Sequence, residues 1–336
     1  MTSREVVRAA IDFQGPDRLP VMMEALGVDD VGGAGISLDS ERRRTGQGLD
    51  EYGCWWGKTQ QKNMGQVKRH PIRDLAEVER YPLPDFRVKE KLPEVRRQLE
   101  RLEREEKYVN TFHFMLLFER MHALCGFETV LEGLYTDRAA MERLADRLMA
   151  TVLQKIEFLG EHFGRRIHGF SFTEDWGTQE NLIINPELWR SFFKPRYKIL
   201  FDAMHAFGWD VWMHSCGKVN RIIGDLIEVG ANVINLQQPR ALGIEEVGQQ
   251  FAGKITFQSL CDIQATLPSG SDTDVRQDVQ DLLKYWATPK GGFILSDYGD
   301  GEAIGVPLER KRLMFQYFME NDPYRRTRLS QSEPRP

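Results

Sequence analysis

The sequence predicts an α/β protein built as a (β/α)8 TIM barrel, with a helical and irregular elaboration toward the N-terminus. Three observations predict it. Short apolar β-prone runs alternate with amphipathic helical stretches along the chain, most regularly from residue 107 onward, giving seven or eight β-α units in one chain. The 336 residues are enough for one large barrel. Polar residues able to do chemistry recur at the carboxyl ends of the strand-like runs, where α/β folds place their sites. A doubly wound sheet is the alternative architecture.

The elements follow in order. Residues 4–13 read as a helix that Gly15 and Pro16 end. Arg18 to Leu26 reads as a strand finishing near Glu24. Residues 30–85 are irregular and rich in Gly, Trp and charge, with short hairpins expected around 51–68. Residues 87–106 carry leucines at helical spacing on a charged, solvated helix. Lys107–Met115 is a strand and 116–135 a helix. Residues 137–163 form a long helix with Met141, Leu144, Leu148, Val152 and Ile156 along one stripe. Ile167–Thr173 is a strand and Pro186–Phe207 a helix. Strand 210–215, helix 218–229, strand 232–236, helix 243–250, strand 255–260, helix 272–287, strand 292–297 and helix 307–320 complete the series. The chain thus reads as a single domain over 1–322. Its last residues, 323–336, read as a polar, basic, Pro-ended tail that frays.

Composition narrows the function. Hydrophobic residues make up 41% and charged residues 28%, as in ordinary globular proteins. The 45 basic and 50 acidic residues give a formal charge of −5, which argues against nucleic acid or an anionic membrane as a partner. No apolar run approaches the roughly 20 residues of a membrane span. The N-terminus lacks the apolar region of a signal peptide, so a cytoplasmic location is expected. Four cysteines in a chain of this size do not suggest a disulfide scaffold. Cys54 and Cys125 sit in aromatic and apolar surroundings and read as packing residues.

The most informative stretch is Asp210-Val211-Trp212-Met213-His214-Ser215-Cys216-Gly217. Residues i and i+2 of a strand project to one face, so an imidazole and a thiolate would emerge together at a strand end. Both suit zinc. Cys261 closes the next strand but one, and with His214 and Cys216 it makes a soft three-ligand set, with Glu174 as a further donor. Strand 167–173 runs into Thr173-Glu174-Asp175-Trp176-Gly177-Thr178-Gln179. Glu174 and Asp175 are the candidate acid–base groups there, set against an ordinary capping role for Asp175 and Thr178. Glu24, Gln179, Gln237 and Tyr298 stand at other strand ends and are candidate substrate contacts.

Several segments carry a family resemblance. They are Leu117-Phe118-Glu119-Arg120 through Glu128, Asp175-Trp176-Gly177-Thr178-Gln179, Pro186–Arg196, His214-Ser215-Cys216-Gly217, Asp225–Gly230 and Asp262-Ile263-Gln264. In order and spacing they resemble the uroporphyrinogen decarboxylase superfamily, over most of residues 105–320. The resemblance implies a (β/α)8 barrel. The decarboxylases carry an arginine-rich motif near the first strand that grips porphyrin carboxylates. Here that strand ends Val21-Met22-Met23-Glu24-Ala25-Leu26-Gly27, with no such motif. The corrinoid-dependent zinc methyltransferase branch is more similar, through its His-x-Cys motif followed by a distant Cys. In coenzyme M methyltransferases that Cys lies at the last strand, where this chain has Tyr298; the later Cys here is Cys261, one unit earlier.

The resemblance therefore implies a zinc-dependent methyltransferase. It would move methyl groups between a corrinoid carried by a partner protein and a small acceptor or donor: a thiol, a pterin, or a methoxylated or methylated compound. A homodimer is compatible with this reading. Two other classes remain open at this stage. One is a metal-independent decarboxylase of a small carboxylic acid or porphyrin-like substrate. The other is a non-catalytic corrinoid- or tetrapyrrole-binding protein.

Overall fold

The computed structural model describes residues 1–59 and 65–325. Among these residues are the strands β1 (Val21–Met23), β2 (Val28–Asp29), β3 (Val31–Gly33), β4 (Gly48–Leu49), β5 (Trp55–Gly57) and β6 (Gln66–Arg69). They continue with β7 (Tyr108–His113), β8 (Gly169–Thr173), β9 (Asp210–His214), β10 (Val233–Leu236), β11 (Thr256–Ser259) and β12 (Phe293–Ser296). Nine of them form one sheet in the order β2-β1-β12-β11-β10-β9-β8-β7-β3. All neighbours in it are parallel except β1 and β2.

This order returns to its own beginning, so the sheet is a barrel and not a doubly wound layer. Asp30, between β2 and β3, makes the closing stitch. Its N–H donates to the Val21 carbonyl at 2.8 Å, and its carbonyl accepts from the Tyr108 N–H at 2.9 Å. The Asp30 carboxylate holds the joint by accepting from both Arg18 guanidinium nitrogens at 2.6 Å, from the Ser3 hydroxyl at 2.6 Å and from the Val21 N–H at 2.9 Å. Pairing with charge on a largely buried carboxylate makes these bonds strong.

The first helix, Ser3–Ile11, closes the barrel floor. Thr2 and Glu5 form a capping box at its start. Its apolar face (Val6, Val7, Ile11) packs with Tyr108, Trp212, Val233 and Ile294 at the amino ends of the strands. Arg8 pairs with Asp210 at 2.7 Å across the same floor. With that end plugged, the opposite end is the one left open.

The long helix Arg138–Phe163 forms as expected and buries the predicted stripe of Met141, Leu144, Leu148, Val152 and Ile156. Three other elements differ from expectation. The strand expected over 18–26 spans only Val21–Met23 and turns into a 3-10 helix at Glu24–Leu26. The helix expected over 116–135 is two, Phe118–Cys125 and Phe127–Thr136, broken at Gly126 with φ +96°, a region that L side chains avoid. The helix expected over 186–207 is also two, Pro186–Phe192 and Lys194–Ala206. Pro195 has no N–H to donate back to Ser191, and the Ser191 carbonyl accepts from Arg138 instead, at 3.2 Å.

The region over 30–85 contains a small antiparallel sheet of β4, β5 and β6. Asp50 ties it to the barrel. Its carboxylate accepts from the Tyr52 and Cys54 N–H groups, the Trp56 indole and the Arg120 guanidinium, all within 3.0 Å. Residues 60–64, within the segment 51–68 where short hairpins are expected, lie outside the described residues. So does most of the expected tail, 326–336. The tail's start is packed down: Asp322 accepts from the Leu19 N–H at 3.0 Å, and Tyr324 is buried.

Candidate functional site

A cavity of about 670 Å³ opens at the carboxyl ends of the barrel strands. Strand alternation decides what lines it. The cavity takes Asn110, Phe112 and Phe114 from β7 and its extension, Ser171, Thr173 and Asp175 from β8, and Trp212, His214 and Cys216 from β9. Asn235 and Gln237 come from β10, Gln258 from β11, and Tyr298 from the loop after β12. Each of these sets steps by two residues, and Phe172 of β8 and Met213 of β9 reach the lining between them.

At the mouth, Asp175, His214 and Cys216 each present a ligand atom, all within 4.8 Å of one another. The Cys216 sulfur is 3.4 Å from His214 Nε2, and Asp175 Oδ1 is 3.5 Å from the same nitrogen. Asp175 Oδ1 also accepts from the Cys216 N–H at 2.8 Å. Burial, then the neighbouring Asp175 carboxylate, drive the Cys216 thiol upward, so in the bare site the sulfur keeps its proton.

Two loops must approach closely to bring these groups together. The Glu174 N–H donates to the His214 carbonyl at 3.0 Å, and the Gly177 N–H to the Cys216 carbonyl at 3.1 Å. Gly217, at φ +75°, has no room for a side chain, because a Cβ there would lie 2.3 Å from Gly177. This is why glycine follows the His-x-Cys pair.

The imidazole's orientation is set by a chain of two hydrogen bonds. The Gln258 carbonyl can only accept, so the Asn235 group facing it at 3.1 Å is the amide NH2. Asn235 Oδ1 then faces His214 Nδ1 at 2.5 Å and accepts its proton. The Nε2 lone pair is left free and points toward Cys216 and Asp175. Such a partner on the second ring nitrogen is how proteins orient metal-binding histidines. Imidazole, thiol and carboxylate around one point make a donor set that fits zinc.

The other expected site residues sort by the same alternation. Cys261 does not join His214 and Cys216. Gln258 faces the cavity, and Cys261, three residues on, faces the other way. It is fully buried against the helix Asp272–Tyr285, with its sulfur 3.6 Å from the Val275 carbonyl. Glu174 likewise lies opposite in parity to Thr173 and Asp175. It is buried behind the wall, where it accepts from the Leu117 N–H at 2.5 Å and the Glu119 N–H at 2.8 Å. It caps the start of helix Phe118–Cys125, and burial pushes it up to about 8. Glu24 starts the 3-10 helix after β1, and Gln179 contacts Gln238 at 3.5 Å; neither lines the cavity. Gln237 and Tyr298, the other candidate substrate contacts, line it. Lys311 steadies the loop that carries Tyr298, donating to Asp297 at 3.0 Å and to the Tyr298 carbonyl at 2.6 Å.

Sequence reasoning missed Glu119, Asn110, Asn235 and Gln258. Glu119 is 7% exposed, lines the cavity, and leaves Oε2 without a hydrogen-bond partner among the described residues. Burial, then Asp175 and Glu174, hold its carboxyl well above the usual range. It starts a helix, where an acid reads as an ordinary first-turn residue. The parity of Gln258 with the β11 run was legible, but strand-end carboxamides give no chemical signal by themselves.

A family model described as uroporphyrinogen decarboxylase (URO-D) matches residues 58–320. Comparison with curated proteins finds no match. Among solved structures, a methyltransferase from Methanosarcina mazei superposes with a TM-score of 0.70 at 13% identity, covering 95% of this chain and 99% of that one. At this identity the likeness is one of fold. Xylanase 10B from Thermotoga maritima aligns more loosely, with a TM-score of 0.38 and 10% identity over 88% of this chain and 86% of that one.

Proposed function

The chain belongs to the uroporphyrinogen decarboxylase family, and from that premise we propose that it is a zinc-dependent methyltransferase acting between a corrinoid on a carrier protein and a small acceptor or donor. The observation that carries this reading is the Asp175, His214 and Cys216 cluster, with His214 Nε2 freed by Asn235. These three residues would hold the metal, with Asp175 in the place expected for Cys261. When bound, zinc would acidify a thiol or similar acceptor and hold it as an anion at neutral pH.

The chain's own residues supply the rest. Gln237 and Gln258 present amide groups to the acceptor from neighbouring strands. Glu119, whose carboxyl is raised by burial and then by Asp175, is placed to offer a proton on the cavity wall. Phe112 is half-exposed and gives the cavity wall an apolar face for a flat macrocycle carried by a partner. Transfer is then favoured by positioning and by activation of the nucleophile.

A second reading draws support from Glu119 and Asp175, whose adjacent carboxyl groups would suit a metal-independent decarboxylase. One experiment separates the two. Methylcobalamin demethylation is followed by absorbance with a panel of thiols and a reduced pterin, with zinc and with chelator, alongside CO2 release from small carboxylic acids. Zinc-dependent demethylation is expected. CO2 release with no metal-dependent demethylation would overturn the proposal.

A further inference from the structure

A second cavity of about 270 Å³ lies beside the main one, and Asn110, Phe112 and Phe114 form a wall common to both. It exists because β3 is short. β3 pairs with β7 only as far as Gly33 opposite Asn110, and the Ala34 N–H makes the last bond to the Asn110 carbonyl. The chain then peels away, with the Gly35 N–H donating to the Gln98 side chain at 3.2 Å. The upper part of β7 is left with an open flank.

Lys155, from helix Arg138–Phe163, reaches into this flank. It is 2% exposed, and its Nζ donates to the Phe112 carbonyl at 2.8 Å. An ammonium has three donors, and this contact uses one. No carboxylate forms an ion pair with Lys155 among the described residues. The charged groups that act on it are Glu51 and Arg43, from the segment over 41–51, and His113 of β7 lies beside it. The Phe86 and Phe170 rings cover the remainder, at 4.9 and 5.9 Å. Burial lowers Lys155 to about 7, and burial, then Lys155, hold His113 well below its usual value. Capping one carbonyl does not require a charge, and a neutral donor would do it without the cost of desolvating an ammonium. Two further donors face the same space: the exposed Arg43 guanidinium and the Ser37 hydroxyl, a buried group with no partner among the described residues.

We propose that this side cavity is an oxyanion site, which takes a carboxylate or phosphate group of a small molecule between Lys155, Arg43 and Ser37. The Glu51 carboxylate lines the cavity too and acts on Lys155 without forming an ion pair with it, so Lys155 and Arg43 together leave a net positive charge that the anion balances. Its arrival favours the protonated amine, so above neutral pH binding draws a proton from solvent. The site does not depend on the methyl-transfer reading, because none of its three donors belongs to the metal cluster.

Isothermal titration of the intact protein with inorganic phosphate and with succinate tests this, one pH unit below and one above the lysine's midpoint. Binding is expected to be weaker at the higher pH and to take up protons there. Lys155→Met should weaken binding by about tenfold or more. Arg43→Gln, at an exposed position that leaves the fold unchanged, should weaken it several-fold. Tighter binding of succinate would identify a carboxylate ligand, and tighter binding of phosphate a phosphoryl one. Equal affinity in wild type and Arg43→Gln together with folded Lys155→Met, or no binding of either anion, would overturn the proposal. Zinc affinity should be unchanged in both variants, so failure here leaves the proposed function standing.

Discussion

Asn235 offers the sharpest test of the metal site because it orients one ligand without being a ligand itself. Its Oδ1 accepts from His214 Nδ1 at 2.5 Å, and its Nδ2 donates to the Gln258 carbonyl at 3.1 Å. Asn235→Leu keeps the volume and removes both bonds. The His214 N–H would then face an apolar group, and an unsatisfied buried donor costs about 1–3 kcal/mol. The ring would also be free to put its proton on Nε2, the nitrogen the metal needs. Every 1.4 kcal/mol is about tenfold in a dissociation constant, so zinc affinity should fall by roughly 5- to 150-fold. That range overlaps the loss of about 10–100-fold typical of partners behind metal ligands. Asn235→Asp should keep most of the affinity, since a carboxylate accepts the same N–H. Competition against a chromophoric chelator measures all three proteins. Wild-type affinity in Asn235→Leu would refute the orientation argument, because it would mean that His214 binds metal without its partner or does not bind it at all.

Other expectations follow from the same geometry. Cys216→Ser should lose most of the zinc measured by elemental analysis, whereas Cys261→Ser should keep it, because the Cys261 sulfur faces the Val275 carbonyl behind the wall. Glu174→Gln should destabilise the protein to urea by about 1–3 kcal/mol, since its amide nitrogen would meet one of two backbone N–H donors; unchanged stability would mean that the helix start does not need the carboxyl. Lys155 has a folded value near 7 against an ordinary 10.5, so between those values the unfolded chain binds more protons and stability should rise with pH. Relative to Lys155→Met, wild type should gain at most about 1.4 kcal/mol per pH unit over that window, and a flat difference would show that the amine is not desolvated. Asp50→Ala should cost about 3–5 kcal/mol in denaturant unfolding, because it strands the fully buried Arg120.

The sequence by itself determined the barrel, through the alternation of apolar runs and amphipathic helices after residue 107. It determined the His214 and Cys216 pair as well, because the two are adjacent in one strand register and a spacing of two needs no tertiary information. It also pointed to Asp175, Gln237 and Tyr298, which share the inward parity of their strands. Tertiary structure decided what depends on where each strand stops and what packs behind it. Cys261 was placed at the mouth by assuming that one strand-end register serves every strand. β11 ends at Ser259, and the three steps from Gln258 turn the thiol into the helix layer. Glu174 and Asp175 are neighbours in sequence, yet opposite faces make one a buried helix clamp and the other a wall of the cavity. Glu24 has the right parity after Met22, but the chain leaves the strand at that residue. Lys155 and the side cavity had no signal at all, since a lysine within a helical stripe reads as surface until a short β3 opens the flank that its side chain fills. Periodicity carries local direction along a strand, whereas the end of a strand and the neighbour across a gap are set by contacts distant in sequence.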